Sequence, residues 1–132
     1  MTSIPECRSV ILVVEDVEET RRGTKQLLTA SGYRVDTARD GEEAVMQASL
    51  HPPDLILVSP GVDAARAVSM SRRIRDRAGL RPEVPVVFFC VPSLAEGAEV
   101  EAGQNVYLTR PDNFDQLRDL LNRLFRTLPR AC

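Results

Sequence analysis

Asp54-Leu55-Ile56-Leu57-Val58-Ser59-Pro60 decides the fold. Its four consecutive apolar residues show no polar alternation, so they predict a strand buried on both faces, in the middle of a parallel sheet. Pro53 ends whatever precedes it, and Pro60 ends the strand itself. In an open α/β sheet, chemistry gathers at the carboxyl ends of the central strands. The residue standing there is Ser59, which offers a neutral hydroxyl.

Upstream, Ser9 to Val14 reads as a second buried strand that ends in two carboxylates, Glu15 and Asp16. A helix is expected from about Val17 to Ser31, anchored by Leu27 and Leu28 and weak where Thr20, Gly23 and Thr24 fall. Gly32 suits its stop, and Arg34 to Ala38 reads as a strand nearer the edge. Asp40-Gly41-Glu42-Glu43 is a capping box that opens a helix to about Leu50.

Downstream, a third helix carries Val68, Met70 and Ile74 among Arg66, Arg72, Arg73, Arg75 and Arg77, an arginine-rich side that reads as solvated. Pro82 and Pro85 lead into the strand Val86 to Cys90. A fourth helix is expected from about Ser93 to Ala102. It is interrupted by Gly97 and carries a thin stripe of Leu94, Ala98 and Ala102, which makes it the least stable element. Val106 to Thr109 is the last strand. Asn113, with Gln116 three residues on, caps a final helix with the stripe Leu117, Leu120, Leu121, Leu124 and Leu128.

The order is strand-helix five times over, with no internal repeat and no linker. Right-handed crossovers then give a flavodoxin-like, doubly wound, parallel five-stranded sheet in the order 2-1-3-4-5. One domain is expected over residues 1–132, with its core at about 9–128. That strand order gathers Glu15, Asp16 and Ser59 at one rim and brings Cys90 and Arg110 to it as well.

Composition narrows the function classes. A net charge of -2 creates no basic field for nucleic acid or an anionic membrane. No apolar run approaches a membrane span, and Met1 to Glu6 lacks a signal peptide's apolar core. Cys7, Cys90 and Cys132 share no metal or redox spacing, so reduced thiols and a cytoplasmic location are expected. Lys25 is the only lysine among 17 basic residues, so arginine is this chain's ordinary cation.

Five stretches carry a resemblance: Ile11-Leu12-Val13-Val14-Glu15-Asp16, Gly32-Tyr33-Arg34-Val35, Asp40-Gly41-Glu42-Glu43-Ala44, Pro53-Asp54-Leu55-Ile56-Leu57 and Tyr107-Leu108-Thr109-Arg110-Pro111. In this order and spacing the chain resembles the receiver domain of two-component response regulators from Ser9 to Leu124. The resemblance implies that Glu15 and Asp16 stand where the family holds Mg²⁺. It implies that Ser59 stands where an aspartate accepts a phosphoryl group from a histidine kinase. Cys90 then stands where a Thr or Ser binds the phosphoryl oxygen, and Arg110 where a Lys completes the charge clamp. Tyr107 matches the aromatic that swings between states.

Three of the five chemical positions depart from that pattern together. A carboxylate forms an acyl phosphate because it is a charged oxygen nucleophile beside a metal, whereas serine needs a general base. Asp63 is a nearby replacement carboxylate but reads as a turn residue, and His51 reads as a surface turn. Cys90 reads as a small apolar strand-end residue. Arg110 has two readings: an internal cation that replaces the metal, or arginine drift with the side chain in solvent. On the first, Arg110 is expected to pair with Asp16, Glu15 or both.

The expected function is a degenerate receiver that is not an enzyme. It would act in the bacterial cytoplasm as a monomer or homodimer and bind signalling proteins. The resemblance puts the contact face on the fourth helix, fifth strand and fifth helix. No cofactor is expected, and Mg²⁺ binding at Glu15 and Asp16 is expected to be weak or absent. The alternative is a Mg²⁺-dependent phosphoacceptor regulator that uses a non-standard acceptor residue.

Overall fold

In the computed structural model, residues 9–59, 63–89 and 91–127 are described. At its centre β1 (Val10–Val14) lies parallel to β3 (Leu55–Val58), in register from Ile11 opposite Leu55 to Val14 opposite Val58. Every residue of β3 is buried, as an unbroken apolar run requires. β2 (Arg34–Ala38) flanks β1, and β4 (Val86–Phe88) flanks β3. Beyond them come β6 (Val106–Thr109), parallel to β4, and β5 (Glu99–Gly103), antiparallel to β6. The spatial order is β2-β1-β3-β4-β6-β5. The five expected strands therefore stand in the expected order, with a sixth strand added at one edge.

That sixth strand corrects the sequence reading. No helix spans 93–102: turns occupy 92–97, and β5 follows. Gly97 has φ +83 and Gly103 φ +94, values that a helix of L-residues does not accommodate. Gln104 and Asn105 follow at φ 55 and 58, so a two-residue turn with both φ positive closes a β5–β6 hairpin. The Glu99-Val100-Glu101-Ala102 alternation suits a half-exposed strand better than a thin helical stripe. The contact face expected on a fourth helix consequently has an edge strand in that helix's place.

Two cores sandwich the sheet. α2 (Gly41–Leu50) and α3 (Ala64–Ala78) cover one face with Ala44, Ala48, Ala67 and Ile74. α1 (Glu18–Ala30) and α4 (Phe114–Thr127) cover the other with Leu28, Leu117, Leu121 and Phe125. Leu27, expected to anchor α1, is instead 49% exposed, so Leu28 alone is buried from that helix. The caps follow the sequence: Asp40 Oδ1 accepts from the Glu43 N–H at 2.9 Å, and Asn113 Oδ1 from the Gln116 N–H at 2.9 Å. The capping box is shifted by one residue, because Glu43 Oε1 accepts from the Arg39 N–H rather than that of Asp40. Cys90 and Leu128 lie outside the described residues.

One arginine of the supposedly solvated α3 side is buried. Arg75 is 6% exposed, and its Nε and Nη2 donate to the Val84 carbonyl at 3.1 and 2.7 Å. Nη2 also donates to the Asn105 carbonyl at 3.1 Å. Burial lowers its pKa, yet arginine keeps its charge in proteins. The guanidinium thus ties α3 to the segment before β4 and to the turn before β6.

Replacing Arg75 with methionine keeps much of the apolar stem but leaves the Val84 carbonyl without its donor, while the Asn105 carbonyl keeps the Val86 N–H. The expected cost is about 2–4 kcal/mol, read as a lower urea midpoint with an unchanged m-value. Arg75→Lys should also destabilise, since an ammonium lacks the planar fork that spans both acceptors.

Candidate functional site

The rim is built by the residues that leave the sheet at its carboxyl edge. The Glu15 N–H donates to the Ala38 carbonyl and the Ser59 N–H to the Val14 carbonyl, so each continues its ladder one step past the strand. β1 and β3 are neighbours whose crossovers run to opposite sides, the switch point of a doubly wound sheet.

The two acidic residues differ in environment. Glu15 is 4% exposed, and its Oε2 accepts from the Val17 N–H at 3.1 Å. Its carbonyl accepts from Arg21 Nη1 at 3.0 Å, which fixes the turn into α1. Asp16 is exposed and has no hydrogen-bond or ion-pair partner among the described residues. Ser59 is 8% exposed, and its hydroxyl bonds neither carboxylate. Among the described residues the rim therefore presents one inward carboxylate already holding a backbone donor, one outward carboxylate, and a hydroxyl with no base bonded to it. Asp63 caps α3, its Oδ1 accepting from the Arg66 N–H at 2.9 Å, which agrees with its reading as a turn residue. His51 is exposed at the C-terminal cap of α2.

Arg110 does not pair with Glu15 or Asp16. Its guanidinium is exposed and donates through Nη1 to the Leu94 carbonyl at 3.0 Å. The physical reason lies in the 92–98 turns, which bring a main-chain acceptor within reach, whereas Glu15 already has a backbone donor. Four further bonds fasten that segment, one of them from the Arg110 N–H to the Ala98 carbonyl at 3.1 Å. The Thr109 hydroxyl donates to the Ala98 carbonyl at 3.0 Å, Gln116 Nε2 to the Gly97 carbonyl at 2.7 Å, and the Gly97 N–H to the Arg110 carbonyl at 2.6 Å. Gly97 sits so close to α4 that an added Cβ would meet Asp112 Oδ2 at 3.2 Å. Sequence reading found Gln116 as a capping partner but missed this second role. The Gly103-Gln104-Asn105 turn was the available signal for the hairpin.

Tyr107 is half-buried and lines a cavity of about 290 Å³ with Glu101, Leu120 and Arg123. Burial, and then the Glu101 carboxylate, hold its phenol above the ordinary tyrosine pKa.

Residues 11–122 match the response regulator receiver domain. The transcriptional regulatory protein PdtaR of Mycobacterium tuberculosis is 32% identical over 114 residues, 81% of this chain and 52% of PdtaR. The response regulator PleD of Caulobacter vibrioides is 35% identical over 107 residues, 76% of this chain and 22% of PleD. The chain thus spans about half the length of PdtaR and less of PleD. The crystallised receiver domain of the hybrid histidine kinase CckA shares 27% identity at a TM-score of 0.60, over 88% of this chain and 98% of that one. No described helix is long and apolar enough to cross a membrane.

Two measurements check this geometry. Gln116→Ala and Arg110→Ala should each speed amide exchange at Gly97 by about tenfold and leave the β1–β3 amides unaffected. The Tyr107 phenol should titrate above the ordinary tyrosine value, and Glu101→Gln should lower its midpoint. A tyrosine held neutral supports the fold fully below about pH 10 and loses that support as pH rises through its folded value. The alkaline loss of stability should therefore begin at the same pH in the Glu101→Gln protein but be smaller and end at a lower pH.

Proposed function

Because the chain belongs to the response regulator receiver domain family, we propose that it is a signalling domain that acts by binding other proteins without aspartyl phosphorylation. Receiver domains serve signalling by engaging histidine kinases and other signalling proteins. This reading keeps the binding role and drops the phosphoryl switch. It is not an enzyme, and it works in the bacterial cytoplasm.

The observation that carries the reading is Ser59 at the end of β3. A serine hydroxyl needs a base to attack phosphorus, and none among the described residues is hydrogen-bonded to it. The Mg²⁺ that the family implies fits the rim poorly. Magnesium takes near-octahedral oxygen ligation with carboxylates facing it. Here Glu15 accepts its own turn's N–H, Asp16 faces outward, and a neutral hydroxyl is the next donor. The fastened 93–98 segment also supports the reading. A switch needs two accessible arrangements, and five hydrogen bonds favour one of them.

Incubation with acetyl phosphate and Mg²⁺ should leave the intact mass unchanged. A labile phosphoryl adduct mapping to Asp16 or Asp63 would instead establish a non-standard acceptor. Since Arg110 is turned to Leu94 and does not occupy the rim, Ser59→Asp should add a third carboxylate there and raise Mg²⁺ affinity roughly tenfold or more by calorimetry.

A further inference from the structure

Among the described residues, β5 leaves one side of the sheet open. The Thr109 carbonyl accepts from the Val91 N–H and the Asn105 carbonyl from the Val86 N–H, so the odd-numbered residues of β6 turn their backbone toward β4. Thr109 and Tyr107 are the residues opposite Glu99 and Glu101. In an antiparallel ladder, residues opposite one another either exchange both hydrogen bonds or neither. Glu99 and Glu101 therefore direct their N–H and C=O groups away from β6, to the free edge. Both residues are exposed, as is Val100 between them.

Charge selects what can pair there. Glu99 is taken up by Arg123, whose Nη2 donates to its two carboxylate oxygens at 2.7 and 2.9 Å. Glu101 has no hydrogen-bond or ion-pair partner among the described residues. It stands on the same face as Tyr107, beside the cavity of about 290 Å³ that Leu120 also lines. A second copy of the chain is a poor occupant. Antiparallel self-pairing keeps each residue on its own face, so it sets Glu101 against Glu101, or Glu99 against Glu101, and like charges directly opposite destabilise a ladder.

We infer that the free edge of β5 accepts an extended segment from a partner protein, a segment with basic residues at alternate positions, one of them facing Glu101. Main-chain bonds to Glu99 and Glu101 supply affinity, the Glu101 carboxylate supplies preference, and an apolar neighbour in the segment, turned to the opposite face, lies beside exposed Val100. The inference rests on the reading of this domain as a protein-binding module and names the chemistry of the partner.

The test is a titration of the ¹⁵N-labelled full chain with two capped heptapeptides, one alternating valine with lysine and one alternating valine with glutamate. The lysine peptide should shift the Glu99 and Glu101 amides and bind at least about fivefold more tightly than the glutamate peptide. Glu101→Lys should reverse that preference. Glu101→Pro removes an outward N–H without touching the β6 ladder, so it should abolish binding while contacts between Val100 and Leu108 persist. No shifts at millimolar peptide, shifts centred elsewhere, or a preference unchanged by Glu101→Lys would overturn the inference. So would self-association that protects the Glu99 and Glu101 amides. A phosphoryl adduct from acetyl phosphate would remove the phosphorylation-independent reading and leave this result standing, so the two can fail separately.

Discussion

A strand whose every side chain is buried cannot lie at an edge or under a single layer. β3 is such a strand, and the rest of the chain is arranged to cover it. Helices must cross on both faces, and right-handed crossovers then fix which strands become its neighbours. The same requirement places the residue after β3 at the meeting of three strand ends. Ser59 is there because the sheet is built outward from the strand it ends.

Coverage is unequal on the two faces. α1 and α4 span one face, and the leucine stripe of α4 fills most of that core. On the other face only α2 and α3 are helical, while Val91, Leu94 and Ala102 complete the cover from turns and from β5. Arg75 offsets that deficit. A buried guanidinium is tolerable because it donates to two carbonyls, that of Val84 having no other donor among the described residues, and in meeting them it fixes α3 against the segment before β4 and the hairpin turn. On the phosphorylation-independent reading this arrangement is coherent, because a domain that keeps one shape gains from fastening its thinnest layer.

Much of the fold was legible in the sequence. The four-residue apolar run, the Asp40 and Asn113 caps and the α4 stripe each follow from a local rule that tertiary structure left standing. The fourth helix was not legible as a strand, because Leu94, Ala98 and Ala102 fit helical spacing while Glu99 to Ala102 fit strand spacing. The positive φ at Gly97 and the turn at Gln104-Asn105 decided between them. Arg75 looked like its solvated neighbours because periodicity cannot show which arginine meets buried carbonyls. The rim residues Glu15, Asp16 and Ser59 were found by strand-end position alone. The direction of Arg110 depended on a main-chain acceptor that no sequence pattern displays.

The side-chain bonds that fasten residues 93–98 to the rest of the domain end on the main-chain oxygens of Leu94, Gly97 and Ala98. Oxygens of that kind are present whatever side chain the residue bears. Along this segment, then, exposed Ser93, Ala95 and Glu96 could change over generations without losing the fastening, Gly97 being held by its φ and Leu94 by the core. The constraint on inheritance falls on the donors Thr109, Arg110 and Gln116, which lie outside the segment they hold. A surface can diversify quickly under such an arrangement, because the residues free to vary are not the ones that keep it in place.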